Sequence, residues 1–205
     1  YSFNAEKAGS YYIAFHYSQG DKADFPVFMN VRIDGELPNT AFENHAFAYE
    51  KKYEMYTMVD SDGSKISIPL EAGNHTISLQ ISVEPIRESL ETIEKIMGRV
   101  NDLSLEVTKV AGTNKDKYRD FSLEAYIPGI GDMMTGWADE LDQVMEDARA
   151  YNPKKNKIAA YASVKIAENQ LRSLAKKPDE LIYRIDELAT STSSVNQHLA
   201  NLIDS

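Results

Sequence analysis

The sequence predicts an α+β protein in two parts. An antiparallel β-sandwich, jelly-roll-like, covers residues 1–84, and an antiparallel three- or four-helix bundle covers residues 85–205. Three observations predict it. Up to Val83 the apolar residues recur at every second position, the period of a strand with one dry and one wet face. From Ile86 they recur at threes and fours, the period of an amphipathic helix. Between the two patterns stands Pro85, which suits the first position of a helix because its missing N–H is an orphan donor there anyway.

Taken in order, the first strand is Ser10–Tyr17, with Tyr11, Ile13, Phe15 and Tyr17 on one face and Tyr12, Ala14 and His16 on the other. The second, Val27–Asp34, sets Val27, Met29, Val31 and Ile33 against Asn30 and Arg32. Asp34-Gly35 then predicts a tight turn, because glycine accepts positive φ at little cost. Residues 36–46 show no period, and a third β region runs from about Phe47 to Val59 with Tyr49, Tyr53 and Tyr56 in it. Asp60–Gly63 reads as a turn, Ile66, Ile68 and Leu70 as a strand, and Glu71–Asn74 as a turn. The last strand is the cleanest: Ile77, Leu79, Ile81 and Val83 are expected inside, with Thr76, Ser78, Gln80 and Ser82 in water. Short strands with turns at this spacing indicate a sandwich or jelly roll.

The first helix carries Ile86, Leu90, Ile93, Met97, Val100 and Val107 in one stripe, widened by Ile96 and Leu103, and Gly112 is its expected C-cap. A second helical region, about Ser122–Tyr151, is interrupted at Pro128, Gly129 and Gly131, where a kink or restart is expected. The third is expected from about Lys154 to Lys176, with Ile158, Tyr161, Ala162, Ile166, Leu171 and Leu174 inward. Pro178 opens a fourth through Leu181, Ile182, Ile185 and Leu188. Thr190–Ser194 weakens it, and it resumes through Val195, Leu199 and Leu202. Short links between such helices predict antiparallel neighbours.

Net charge of −10 argues against a nucleic-acid partner, which needs concentrated basic charge. Residues 1–84 hold 6 basic and 12 acidic groups, residues 85–205 hold 16 and 20, and neither half shows a basic face. No apolar run reaches the length of a membrane span. The chain has no cysteine, which removes disulfides, thiolate zinc sites and cysteine nucleophiles. It opens on Tyr1 rather than Met, which reads as a mature product or an excerpt.

No motif specifies a reaction. Gly129-Ile130-Gly131 has its next glycine at Gly136, the wrong spacing for a dinucleotide loop, and no strand precedes it. Asp60-Ser61-Asp62-Gly63 resembles the start of a calcium loop without the helices or the distal glutamate, so it reads as a hairpin turn. His16, His45, His75 and His198 lack ligand spacing, and Asn74-His75-Thr76 reads as a turn rather than a glycan acceptor. The expectation is a protein with no enzymatic activity, cofactor or metal. Thirteen of the 20 aromatic residues lie in residues 1–84, enough to line a core and leave some rings facing out.

Three phrases of the β part resemble the hairpins of galactose-binding-like jelly rolls found in carbohydrate-binding modules: Ala8-Gly9-Ser10-Tyr11, Val31-Arg32-Ile33-Asp34-Gly35 and Leu70-Glu71-Ala72-Gly73-Asn74-His75-Thr76-Ile77. In the helical part, Tyr118-Arg119-Asp120-Phe121, Glu124-Ala125-Tyr126-Ile127-Pro128, Gly136-Trp137-Ala138-Asp139 and Gln170-Leu171-Arg172-Ser173-Leu174-Ala175 are similar to the large extracellular solute-binding proteins of Gram-positive carbohydrate ABC transporters. The resemblance implies a non-catalytic accessory segment of a cell-surface lipoprotein. Its partners would be an oligosaccharide or cell-surface glycan and the other domains of the same transport protein. It also implies that the helices interrupt the jelly roll before its last strand. Tyr12, Arg32, Tyr49, Tyr53 and Tyr56 are the candidate sugar contacts, by ring stacking on a pyranose and by hydrogen bonding to its hydroxyls. Alternatively, the helical bundle docks on the solute-binding domain or the permease, and the β part has no ligand of its own.

Overall fold

Alternating apolar residues build strands up to Ser82, and helical periodicity takes over from Arg87. The computed structural model describes residues 1–112 and 122–204. It is an α+β protein that divides into two units, Tyr1–Arg87 and Glu88–Ser205. The phrase Tyr118–Phe121 lies outside the described residues.

The β unit contains β1 (Ser2–Ala5), β2 (Gly9–Tyr12), β3 (Ala14–Gln19), β4 (Val27–Ile33), β5 (His45–Phe47), β6 (Glu50–Thr57), β7 (Ser67–Leu70) and β8 (Gly73–Ser82). Every ladder between them is antiparallel. One sheet runs β1-β8-β4-β5, and among the described residues β2 pairs with β7 and β3 with β6. The core lies between these layers, where Val31, Phe42, Phe47, Met58, Ile68 and Leu70 are buried. Half-buried Tyr11, Ile13, Phe15 and Tyr17 pack on that cluster, so of the two faces of the first strand this is the inner one. The strand itself is split at Ile13, whose carbonyl accepts the Met58 N–H at 3.0 Å.

Asp34-Gly35 makes the expected turn, with φ of 52° and 86°. Ile33 and Glu36 exchange both backbone hydrogen bonds across it, at 2.9 and 3.0 Å. Asp60–Gly63 is also a turn, and its carboxylates serve the loop: Asp60 Oδ1 accepts from Ser61 N and Asp62 Oδ1 from Ser64 N. Asn74 is not in a turn but inside β8, where its Oδ1 accepts from Asn4 Nδ2. The largest correction concerns β8. Ile77 is half-buried, but Leu79, Ile81 and Val83 stand 37%, 69% and 46% exposed. The strands outside this sheet form two separate pairs, β2-β7 and β3-β6, and they leave this end of the apolar face exposed.

The helical unit holds α1 (Arg87–Ala111), α2 (Ile130–Ala150), α3 (Ala162–Ala175) and α4 (Val195–Ile203). A 3₁₀ turn over Glu84–Ile86, with Pro85 inside it, leads into α1, and Gly112 at φ 61° ends it. The restart after Pro128 is as expected: Gly129, left-handed at φ 77°, precedes α2. α3 begins eight residues later than predicted, since Lys154–Lys157 offers no apolar side chain to bury. Its buried stripe is Val164, Ala167, Leu171 and Leu174, so Ala162 and Ile166 face out, Ile166 at 50%. Ile158 and Tyr161 are buried from outside the helix, and their phase therefore does not carry into it. Two 3₁₀ turns, Pro178–Tyr183 and Ile185–Glu187, replace the start of the predicted fourth helix. Leu181, Ile182, Ile185 and Leu188 are nonetheless buried, as expected. Ser194 then caps α4 by accepting from Gln197 N.

Candidate functional site

In the β unit the aperiodic stretch 36–46 forms one wall of a pocket of about 510 Å³, and the turn after β6 forms the other. A 3₁₀ turn, Thr40–Phe42, drops Phe42 into the core and holds Thr40 and Ala41 at the rim. Asn44 follows in the left-handed region at φ 51°, a conformation that asparagine tolerates, and this aims the chain back into β5. Glu43, Asn44 and His45 therefore line one side, and Tyr56, Val59, Asp60 and Ser61 the other.

The floor of the pocket is fixed by one buried ring. His45 Nδ1 lies 2.8 Å from the Ala41 carbonyl, and its Nε2 lies 2.8 Å from Tyr56 Oη. A carbonyl can only accept, so Nδ1 carries the proton and Nε2 accepts from the tyrosine hydroxyl. Burial pushes the His45 imidazole below its ordinary value and so keeps it neutral. Burial likewise raises the Tyr56 phenol, which the Val59 backbone opposes by hydrogen bonding. Tyr56 lines the pocket with its hydroxyl held by His45 and its ring packed edge-on against Tyr17 and Phe47. Glu43 and Asp60 also line the pocket, Asp60 with Oδ1 accepting from Ser61 N and Oδ2 as its second acceptor.

A second feature lies on the outside of β3 and β6. His16 stands directly across from Met55, and the His16 and Tyr53 rings are 5.2 Å apart. Tyr53 is 66% and Met55 70% exposed, and the exposed Tyr12 lies at the near end of β2.

The five predicted contacts are not brought together. Only Tyr56 lines the pocket. Tyr12 and Tyr53 belong to the outer surface, Tyr49 sits half-buried between β5 and β6, and Arg32 on β4 donates from Nη1 to the Gly35 carbonyl at 3.3 Å. Glu43, Asn44, His45 and Asp60 were missed as a group. The first three lie where no periodicity gives a direction, and the only local signal is an asparagine suited to a left-handed residue.

Among the described residues no group of three or more His, Asp or Glu side chains is placed to hold a metal ion. No described helix is long and apolar enough to cross a membrane. No curated protein and no solved structure matches the chain. A family model does: residues 88–205 match the bacterial solute-binding protein, 4-helix bundle domain. The match begins at the residue where the helical unit begins. It carries a non-catalytic part of a solute-binding protein, an extracellular or periplasmic location, and association with the other domains of such a protein. The chain therefore belongs to the bacterial solute-binding protein 4-helix bundle family, and a β-sandwich precedes its bundle.

Proposed function

We propose that the chain is an accessory segment of an extracellular carbohydrate-transport solute-binding lipoprotein, and that its β unit binds carbohydrate without acting on it. The observation that carries this is the pocket at Tyr56. It combines a rigid aromatic wall with carboxylate, amide and hydroxyl groups converging from two loops. A pyranose needs both: an apolar face to stack and acceptors for its hydroxyl protons. Glu43 and Asp60 accept, the Asn44 amide donates, and Tyr56 with Val59 meets the C–H face. A glycan array probed with the whole chain tests it. Binding to a defined class of glycan is expected, weakened at least about tenfold by Asp60→Ala with Glu43→Ala. If Tyr53→Ala abolishes binding and the acidic pair does not, the sugar sits on the outer surface instead. An empty array sinks carbohydrate binding altogether.

One observation favours a second role for the helical unit, docking on the solute-binding domain or the permease. Leu105 on α1 and Ile166 on α3 are large apolar side chains left 61% and 50% exposed on helices whose other stripes are buried.

A further inference from the structure

Local charge departs sharply from the acidic average in one place. Between Ala148 and Ala167 the chain contains Arg149, Lys154, Lys155, Lys157 and Lys165 and no acidic residue at all. This segment borders a groove of about 770 Å³ along the second half of α2 and the first turn of α3. On the α2 side the groove shows Asp142, Met145, Glu146 and Arg149, spaced as one face of a helix over two turns. On the other side Ile158, Ala162 and Ile166 supply apolar surface. Tyr161 is buried in the wall, its phenol pushed up to about 12, first by burial and then by Tyr151 and Asp147.

The charges at the groove are unequally satisfied. Arg149 is paired with Glu146 at 3.0 Å, and Lys165 reaches Glu168 at 2.7 Å and Asp142 at 3.5 Å. Lys157, in the lining, has no hydrogen-bond or ion-pair partner among the described residues. The groove is thus an apolar trough beside α2, the 3₁₀ turn at Tyr161 and the start of α3, with one uncompensated positive charge, Lys157, in its lining. That combination selects among occupants. A sugar has no use for the apolar length, and a simple anion none for Met145 and Ile166.

We infer that the groove receives an amphipathic helix from a protein partner, with its apolar stripe along Met145, Ala162 and Ile166 and carboxylates at the end that meets Lys157. Helix-in-groove docking reads a stripe at i, i+3, i+4 and i+7, which is the length this trough offers. Acidic residues in the first turn of the incoming helix also complement its own dipole, so the charged end is its N-terminus. The groove's role rests on the helical unit being the docking half of the chain.

The test uses the whole chain and a fluorescent peptide of about 18 residues with leucines at i, i+3, i+4 and i+7 and glutamates in its first turn. Anisotropy is expected to show binding at least about tenfold tighter than to a peptide of the same composition with the stripe scrambled. Ile166→Asp should abolish it. Lys157→Glu should weaken it about tenfold or more and flatten its salt dependence. Both side chains are exposed, so the variants should keep the parent circular dichroism and melting temperature. Equal affinity for the scrambled peptide overturns the inference. So does indifference to both variants, or binding to anionic phospholipid vesicles with none to the peptide. Loss of binding in Leu105→Asp but not in Ile166→Asp moves docking to α1: the groove falls and the docking role stands. No binding by the unaltered chain removes both.

Discussion

His75 Nδ1 lies 2.6 Å from Asp34 Oδ2, and its Nε2 lies 2.9 Å from the Glu71 carbonyl. The same carboxylate accepts the Thr76 N–H at 2.8 Å, so one aspartate ties the turn after β4 to β8. The hydrogen bond to Asp34 raises the His75 imidazole above its ordinary value, and the bond from His75 holds Asp34 below the usual carboxylate range. Stability from the raised histidine is therefore full below about pH 6.5 and is lost as pH rises through its folded value. Stability from the depressed aspartate is present above about pH 4 and is lost as pH falls through its own. His45 has the opposite sign to His75. Its burial lowers the folded value, so acidification below about pH 6.5 favours the unfolded chain, which takes up the proton more readily. Proton NMR titration should find His75 titrating above and His45 below the free-histidine value, with Asp34→Asn returning His75 toward it and leaving His45 unmoved. Identical titration of the two rings would contradict the assignment. None of this is legible in the sequence, where four scattered histidines look alike and their difference comes from the burial of one ring and from a carboxylate 41 residues before the other.

At the scale of elements, legibility follows periodicity. α1 was readable along its whole length because its stripe is unbroken and bounded by Pro85 and Gly112. α3 was not, because Ile158 and Tyr161 are buried from a loop and a 3₁₀ turn, and extending their phase puts Ile166 on the wrong side. Glu168 shows the same limit. It is 1% exposed, yet no periodicity argument would bury a carboxylate. Arg172 makes it tolerable by bonding Glu168 while also meeting Asp139 at 2.8 Å and Asp142 at 2.6 Å, and Lys165 lies 2.7 Å from its other oxygen. These carboxylates raise the Arg172 guanidinium further above its ordinary value. The corrected face has a direct check. Leu171→Ala, at a fully buried site, should cost about 2–5 kcal/mol in chemical denaturation. Ile166→Ala should stay within about 0.5 kcal/mol. Equal costs would restore the face that periodicity alone predicts.

For the whole molecule, the division into a β part and a helical part was readable from the change of period, since a strand pattern and a helix pattern cannot be mistaken over such lengths. The pocket was not, because its lining comes from two loops that the sequence separates and only the closed sandwich brings opposite each other. What lay furthest from view was how much of the sandwich would stay uncovered. Leu79, Ile81 and Val83 were assigned to the interior by a flawless alternation, and the pattern was true while the cover was absent. Oil left in contact with water has a colloidal cost. Concentrated solutions of this chain should cloud or form soluble clusters that mild non-ionic detergent disperses, and Ile81→Thr should raise the concentration at which light scattering sets in.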